Sequence, residues 1–132
     1  MIKAVIDTNV LISGVFWKGT PYQVIKAWQN NSFRWFISPE ILEEYRRVLE
    51  EISRQHPGFE LGPIFEVIGL HCEMVAAKPL RGICRDPDDD KFIAAAVGCG
   101  ATYIVSGDRA LLDVKQFQGV SIVRPVEFLH KL

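Results

Sequence analysis

Four aspartates stand within five residues, directly before an apolar run, in the segment RDPDDDKFIAAAV. On a helix that turns about 100° per residue, Asp89 lies within about 10° of the centre of the apolar stripe that follows. Asp88 and Asp90 lie roughly 90–110° to either side, so we expect both to face outward. Asp86 precedes a proline and suits a helix N-cap. A core-facing carboxylate is costly unless a cation meets it, which makes Asp89 a candidate metal ligand.

Two other acids directly follow predicted strands. Asp7 closes the apolar strand KAVID, and Asp108 follows the strand YIVS across a glycine. In an open parallel sheet, ligands bind at the carboxyl ends of strands, near the point where strand order reverses. Each acid could instead cap the helix that comes after it. Two acids at the same sheet edge favour a shared site.

A fourth acid comes from the predicted helix SPEILEEYRRVLEEI. Glu44 lies on the flank of its apolar stripe, roughly 95° from the centre, while Glu43 lies about 160° away. We therefore expect Glu43 to form a surface pair with Arg47, one helical turn later. Glu44 is the glutamate better placed to reach a cleft.

Four converging carboxylates repel one another in a low-dielectric cleft, and divalent cations relieve that repulsion. Oxygen ligands without histidine or cysteine favour Mg²⁺ or Mn²⁺ over Zn²⁺. The three cysteines are widely spaced and include no C-x-x-C pair, which argues against a disulfide framework and a structural zinc site. No Ser/His or Cys/His set and no glycine-rich phosphate loop is evident.

The length of 132 residues predicts a single domain, 1–132, with 48% hydrophobic and 23% charged residues. The net charge of −1 gives no global attraction to nucleic acid, although a local basic patch can suffice. No apolar run reaches the roughly 18 residues of a membrane span, and the N-terminus lacks a signal-peptide layout. We therefore expect a cytoplasmic protein.

Strand and helix patterns alternate along the chain. Strands are predicted at KAVID, RWFIS, MVAAK, ATYIVSGD and VSIVRP. Helices are predicted over 21–30, 38–55, 62–72 and 87–99, with a short one at ALLDV, and Gly100 suits the end of the fourth. This alternation predicts an α/β fold with a mainly parallel sheet and helices on both faces.

Four motifs in this order, VIDTNVLIS, SPEILEEYRRVL, RDPDDDKFIAAA and YIVSGDRALL, resemble the PIN-domain family across nearly the whole chain. The similarity is greatest to the toxin components of toxin–antitoxin systems, which are relatives of the VapC-type ribonucleases. The resemblance implies a three-layer α/β/α sandwich and a Mg²⁺- or Mn²⁺-dependent ribonuclease. It further implies a homodimer and the possibility of an antitoxin protein as partner.

The family's four acids, which hold the metal and carry catalysis, match Asp7, Glu44, Asp89 and Asp108. The family's supporting positions around these ligands match Asn9, Ser106 and Asp86. No acid of the pattern is lost.

Substrate RNA has to be held by cations, and Arg46, Arg81, Arg85 and Arg109 flank the acidic motifs. A solvated surface position is the ordinary role for any one arginine. The three tryptophans could stack bases, but we expect packing in a core or interface for each.

Three alternatives remain open on the sequence. A phosphatase of the haloacid dehalogenase type requires D-x-D, and this chain has Asn9 at the second position. A receiver-like domain requires a late lysine after a strand, which the sequence does not offer. A non-catalytic PIN module that binds RNA or a protein is the main alternative to an enzyme.

Overall fold

A six-stranded sheet organises the chain, and the computed structural model describes all residues from 1 to 132. Its strands are β1 Lys3–Ile6, β2 Arg34–Ile37, β3 Glu73–Met74, β4 Tyr103–Val105, β5 Gln116–Phe117 and β6 Val120–Val123. Their order across the sheet is β3-β2-β1-β4-β6-β5. Every neighbouring pair is parallel except β5 with β6. The predicted α/β class with a mainly parallel sheet is therefore confirmed.

Six α-helices and one 3-10 turn connect the strands, and a seventh helix follows β6. The helices are α1 Thr8–Phe16, α2 Thr20–Gln29, α3 Pro39–Arg54, α4 Gly62–His71, α5 Asp90–Cys99, α6 Arg109–Leu112 and α7 Pro125–Lys131. The 3-10 turn spans Pro87–Asp89. Five of the seven helices match predicted ones, whereas α1 and α7 were not predicted. No helix has the combination of length and apolar character that a membrane crossing requires.

The two faces of the sheet are covered by different helices, because successive side chains of a strand point to opposite faces. On one face, the Trp35 ring of β2 packs against Trp28 of α2, with ring centroids 4.7 Å apart, and against Tyr45 of α3. On the other face, Lys3 of β1 donates from Nζ to the carbonyl oxygen of Cys99 at the end of α5, at 3.2 Å. The sheet is thus the middle of three layers, as the PIN-like fold implied.

The centre of the sheet holds the point where strand order reverses. From β1 the chain proceeds outward through β2 and β3, and then returns to place β4 on the other side of β1. Hydrogen bonds extend this pairing past the strand ends, since Asp7 N donates to Val105 O and Ser106 N donates to Val123 O, both at 2.9 Å. A crevice between diverging chain segments at such a point is the usual ligand site of an open parallel sheet.

The predicted pair of Glu43 with Arg47 is wrong. Arg46 bonds Glu43 and also Glu50, in the latter case at 2.7 Å. Both spacings, three and four residues, bring side chains together on a helix surface. The arginine one position earlier therefore takes the partner assigned to Arg47.

Candidate active site

Asp7 is a buried carboxylate at the carboxyl end of β1. It occupies the N-cap position of α1, but its side chain makes no capping hydrogen bond. Instead Oδ2 accepts a hydrogen bond from the Ser106 hydroxyl at 2.7 Å, and only 4% of the residue is exposed. Burial raises the pKa of Asp7 from 3.8 to about 6 against the lowering effect of this hydrogen bond. The carboxylate is thus not used as a helix cap.

Asp108 lies beside Asp7, at the end of the adjacent strand β4. It too has the N-cap position of a helix, α6, without a side-chain capping bond. Its backbone amide donates to the Ser106 hydroxyl oxygen at 2.9 Å, and the same hydroxyl donates to Asp7. Ser106 is fully buried and therefore fixes the two segments relative to each other. Capping, the alternative role for both acids, is not observed.

Asp89 ends the 3-10 turn and is partly buried. Its Oδ2 atom is buried and has no hydrogen-bond partner. Burial is the main cause that raises the pKa of Asp89 to about 8, and the neighbouring carboxylates of Asp108, Asp7 and Asp86 raise it further. A buried carboxylate oxygen without a partner is costly, and a cation is one way to satisfy it.

Asp7, Asp89 and Asp108 therefore come together from three separate segments of the chain. The negative charge of Asp108 raises the pKa of both other acids, which is the signature of like charges held close together. No three of the Asp, Glu, His and Cys side chains stand in an arrangement ready to hold a metal ion. The side chains are adjacent, but their present rotamers do not form a complete ligand set.

Glu44 reaches the same region from α3 and is already engaged. Its Oε2 accepts a hydrogen bond from the Thr8 hydroxyl, and its Oε1 pairs with Lys91 Nζ at 2.7 Å. The Glu44 side chain is 13% exposed and that of Lys91 is 22% exposed. The charge of Glu44 contributes to the raised pKa of Asp7, which places it near the acid cluster. Both its oxygens have partners, unlike those of Asp89.

Asp90 does not face outward as predicted. It is 5% exposed, and its carboxylate accepts from Gly82 N at 3.0 Å and from Cys84 N at 2.7 Å. The helical projection failed because the loop before the 3-10 turn covers this side of α5 and supplies two backbone donors to the carboxylate. Asp90 therefore starts α5 and fixes the preceding loop.

Asp86 caps the turn as predicted, since its side chain accepts from Asp88 N at 3.0 Å. Asp88 is exposed, also as predicted. Asp86 lies close enough to Asp89 for its charge to raise the pKa of that residue. Asn9, in contrast, is exposed on α1 and makes no side-chain hydrogen bond to Asp7. Of the supporting positions that the resemblance implied, Ser106 is the one that donates a hydrogen bond to Asp7.

The candidate RNA-binding arginines differ in whether their guanidinium groups already form ion pairs. Arg46 is held by two glutamates, and Arg85 pairs with Asp113 at 2.9 Å. Arg109 follows Asp108 directly, is exposed, and enters no ion pair. Of the tryptophans, residues 28 and 35 are buried, as expected, whereas residue 17 is 60% exposed.

Sequence reasoning missed Thr8 and Lys91. Thr8 is buried, and its hydroxyl reaches Glu44 across 36 sequence positions. Lys91 reaches the same glutamate across 47 positions. The position of Lys91, two residues after Asp89, was only a weak indication of a role at the site, because a lysine beside an apolar run is usually exposed to solvent. Packing of α3 beside α1 brings Thr8 to Glu44, and packing of α3 beside α5 brings Lys91 to it.

The donor set suits a hard divalent cation. Oxygen ligands from carboxylates are those that Mg²⁺ and Mn²⁺ accept. The Cys84 thiol lies near Asp89 and Asp108, but burial raises its pKa to about 12, so it stays protonated at neutral pH and does not offer a thiolate ligand. The unpartnered Oδ2 of Asp89 and the raised pKa values of Asp7 and Asp89 indicate negative charge that the protein alone does not compensate. The donor types therefore fit such an ion, although the side chains must rotate to form a complete ligand set.

Comparisons with known proteins agree with this geometry. A family model described as PIN domain matches residues 3–110. An uncharacterized protein of Methanocaldococcus jannaschii is 31% identical over 118 residues, which cover 86% of this chain and 76% of that protein. PIN domains are generally nucleases and typically use divalent metal ions. With both the fold and the family model in agreement, this chain belongs to the PIN domain family.

Proposed function

We propose that this protein is a Mg²⁺- or Mn²⁺-dependent endoribonuclease, with Asp7, Asp89 and Asp108 as the principal metal ligands. The observation that carries the proposal is the unpartnered, buried Oδ2 of Asp89 beside two other carboxylates at the sheet's switch point. Such an arrangement is unfavourable for a purely structural cluster and favourable for a cation site.

The residues of the proposed centre have separate roles. The Ser106 hydroxyl orients Asp7 through the 2.7 Å hydrogen bond and also binds the backbone next to Asp108. A divalent cation held by these carboxylates would supply a water molecule of lowered pKa and would stabilise charge on the scissile phosphate. The three carboxylates would hold the cation at the crevice, and the Ser106 hydroxyl limits rotation of the Asp7 carboxylate.

Glu44 takes a supporting role in this proposal, although the family pattern counts it among the metal ligands. Its two oxygens are occupied by Thr8 and Lys91. Glu44 becomes a ligand, directly or through water, only if the Lys91 ammonium moves away. In the arrangement observed, Glu44 orients groups at the rim of the centre and Lys91 offsets part of its charge.

Arg109 is the arginine best suited to bind RNA backbone phosphate near the centre. It is exposed, free of ion pairs, and adjacent in sequence to Asp108. Arg46 and Arg85 would first have to leave their carboxylate partners. A single exposed cation contributes mainly to binding and to its salt dependence.

The resemblance to VapC-type ribonucleases extends the proposal to the biological setting. We infer that the protein is the toxin of a toxin–antitoxin pair, acts in the cytoplasm as a homodimer, and is inhibited by an antitoxin protein. Induced expression in a bacterial host should arrest growth, and the Asp89→Asn variant expressed to the same level should not.

The direct test is cleavage of single-stranded RNA by the purified protein with added Mn²⁺. Asp7→Asn and Asp89→Asn should each lose more activity than the roughly 10–100-fold typical for residues that only orient a ligand. Asp88→Asn is the matched control, because Asp88 is exposed and next in sequence to Asp89. Its activity should stay close to that of the wild type. The proposed centre is wrong if Asp7→Asn and Asp89→Asn cleave as well as the wild type.

A non-catalytic PIN module is the second candidate, and the same assay separates it. The observation in its favour is the Lys91 ammonium, which already pairs with Glu44 at the rim of the acids. A protein of this kind would bind single-stranded RNA but leave it intact with Mg²⁺ and with Mn²⁺.

A further inference from the structure

A cavity of about 490 Å³ opens beside the carboxylate centre. It lies between the loop that precedes the 3-10 turn and the helices α3 and α5. Lys91 lines the cavity while its ammonium pairs with Glu44 at the centre, and Glu40 lines it one helical turn before Glu44. Lys91 therefore links the cavity to the proposed site of cleavage, and the cavity also includes Asp90, the residue after Asp89.

The loop that forms one wall is held in place rather than loose. Residues 75–86 contain no regular helix or strand, yet the Asp90 carboxylate binds the amides of Gly82 and Cys84. Gly82 has φ of 74°, a left-handed conformation that glycine adopts without strain. A buried carboxylate with two backbone donors fixes the shape of the loop, so the cavity exists before any ligand enters.

The lining combines apolar walls with a few polar groups. Leu80 and Ala94 contribute apolar surface, and Arg81 and Glu40 are exposed and enter none of the ion pairs. The formal charges of Arg81 and Lys91 cancel those of Glu40 and Asp90. A neutral planar ring with a polar edge suits such a lining better than a multiply charged group does, and the volume lies within the range of small-ligand pockets.

We propose that this cavity binds the base of the nucleotide next to the scissile phosphodiester, an inference that rests on the proposed ribonuclease function. Glu40 accepts a hydrogen bond from an exocyclic amino group of the base, as carboxylates do in base recognition. Arg81 contacts the RNA backbone phosphate at the mouth of the cavity. The subsite therefore favours adenine, cytosine or guanine, each of which has an exocyclic amino group, over uracil, which has none.

The test is binding of fluorescently labelled oligoadenylate, oligocytidylate and oligouridylate, measured by anisotropy with Mg²⁺ in an Asp7→Asn background. Oligoadenylate and oligocytidylate should bind several-fold more tightly than oligouridylate. Glu40→Ala should remove this preference. Glu51→Ala is the matched control, an exposed glutamate about 17 Å farther along α3, and it should keep the preference.

Arg81 is tested in the same assay. Arg81→Ala should weaken binding of all three RNAs several-fold and reduce the slope of log affinity against log salt by about 0.7. Arg54→Ala, an exposed arginine about 15 Å beyond Glu44 on α3, should change neither quantity.

The outcomes separate this subsite from the ribonuclease proposal. Equal binding of all three RNAs, or a preference that survives Glu40→Ala, overturns the subsite even if the wild type cleaves RNA. A wild-type protein that cleaves nothing but shows the Glu40-dependent preference contradicts the nuclease proposal and supports the base-binding cavity. Absence of RNA binding in every variant overturns the subsite as well.

Discussion

Replacing Asp7 by asparagine should stabilise the metal-free protein at neutral pH and destabilise it in acid. Asp7 is 4% exposed, and its pKa rises from 3.8 to about 6, chiefly because of burial and also because of the charges of Asp108 and Glu44. The folded state therefore binds the proton of Asp7 more tightly than the unfolded state does. Stability should fall as the pH rises from about 4 through about 6.

The size of the expected stability change follows from the pKa shift of Asp7. The difference between 3.8 and about 6 corresponds to about 3 kcal/mol of unfavourable free energy for ionised Asp7 in the folded state. Asparagine removes that charge and can still accept from the Ser106 hydroxyl. Its amide hydrogens lack an acceptor, at a cost of roughly 1 kcal/mol. The net expectation is a gain of about 2 kcal/mol above pH 6 and a loss of about 1 kcal/mol below pH 4.

Urea denaturation in the presence of EDTA, at about pH 4 and about pH 8, measures this crossover. Glu51→Gln is the control, because it removes an exposed carboxylate on α3 and should shift neither value by much. An Asp7→Asn protein that is less stable than the wild type at pH 8 would refute the reasoning. A difference in stability between Asp7→Asn and the wild type that stays the same at both pH values would also refute it.

Three further changes probe the neighbourhood of the site. Lys91→Met removes the cation paired with Glu44 and should tighten Mn²⁺ binding several-fold in calorimetry, whereas unchanged or weaker binding would contradict the assigned role. Asp90→Ala leaves two backbone amides without their charged acceptor and should lower the free energy of unfolding by about 3–5 kcal/mol. If urea denaturation shows that this free energy falls by less than about 1 kcal/mol, the loop has another anchor. Ser106→Ala removes a hydrogen bond that lowers the pKa of Asp7. NMR titration of the metal-free protein should therefore place the pKa of Asp7 above its wild-type value. A pKa below the wild-type value would contradict the role assigned to Ser106.

Much of the fold could be predicted because its signals are local. The apolar strands and the capping residue Ser38, whose side chain accepts from Ile41 N, are readable within a few positions. Gly100 ends α5 with φ of 70°, as a helix-terminating glycine should. Helix α1 was missed because its first residues, Thr8 and Asn9, favour turns when taken alone. Packing of its apolar side chains, such as Leu11, outweighs that preference.

The positions of the site residues that follow strands could be predicted from the sequence. The hydrogen bonds and ion pairs that depend on packing between elements could not. Asp7 and Asp108 follow adjacent strands, so topology alone brings them together. The burial of Asp90 depends on a loop that packs over α5 and donates two backbone hydrogen bonds, and a helical projection of α5 alone cannot represent that loop. The ion pair of Lys91 with Glu44 depends on how two helices pack, and no pattern within either helix encodes it.

The central claim is that Asp7, Asp89 and Asp108 together hold a divalent cation, and titration of Mn²⁺ tests it most directly. Calorimetry on the metal-free wild type should show saturable binding near neutral pH, and Asp89→Asn should weaken it strongly while Asp88→Asn leaves it intact. Equal Mn²⁺ affinity in the wild type and in Asp89→Asn would contradict the claim.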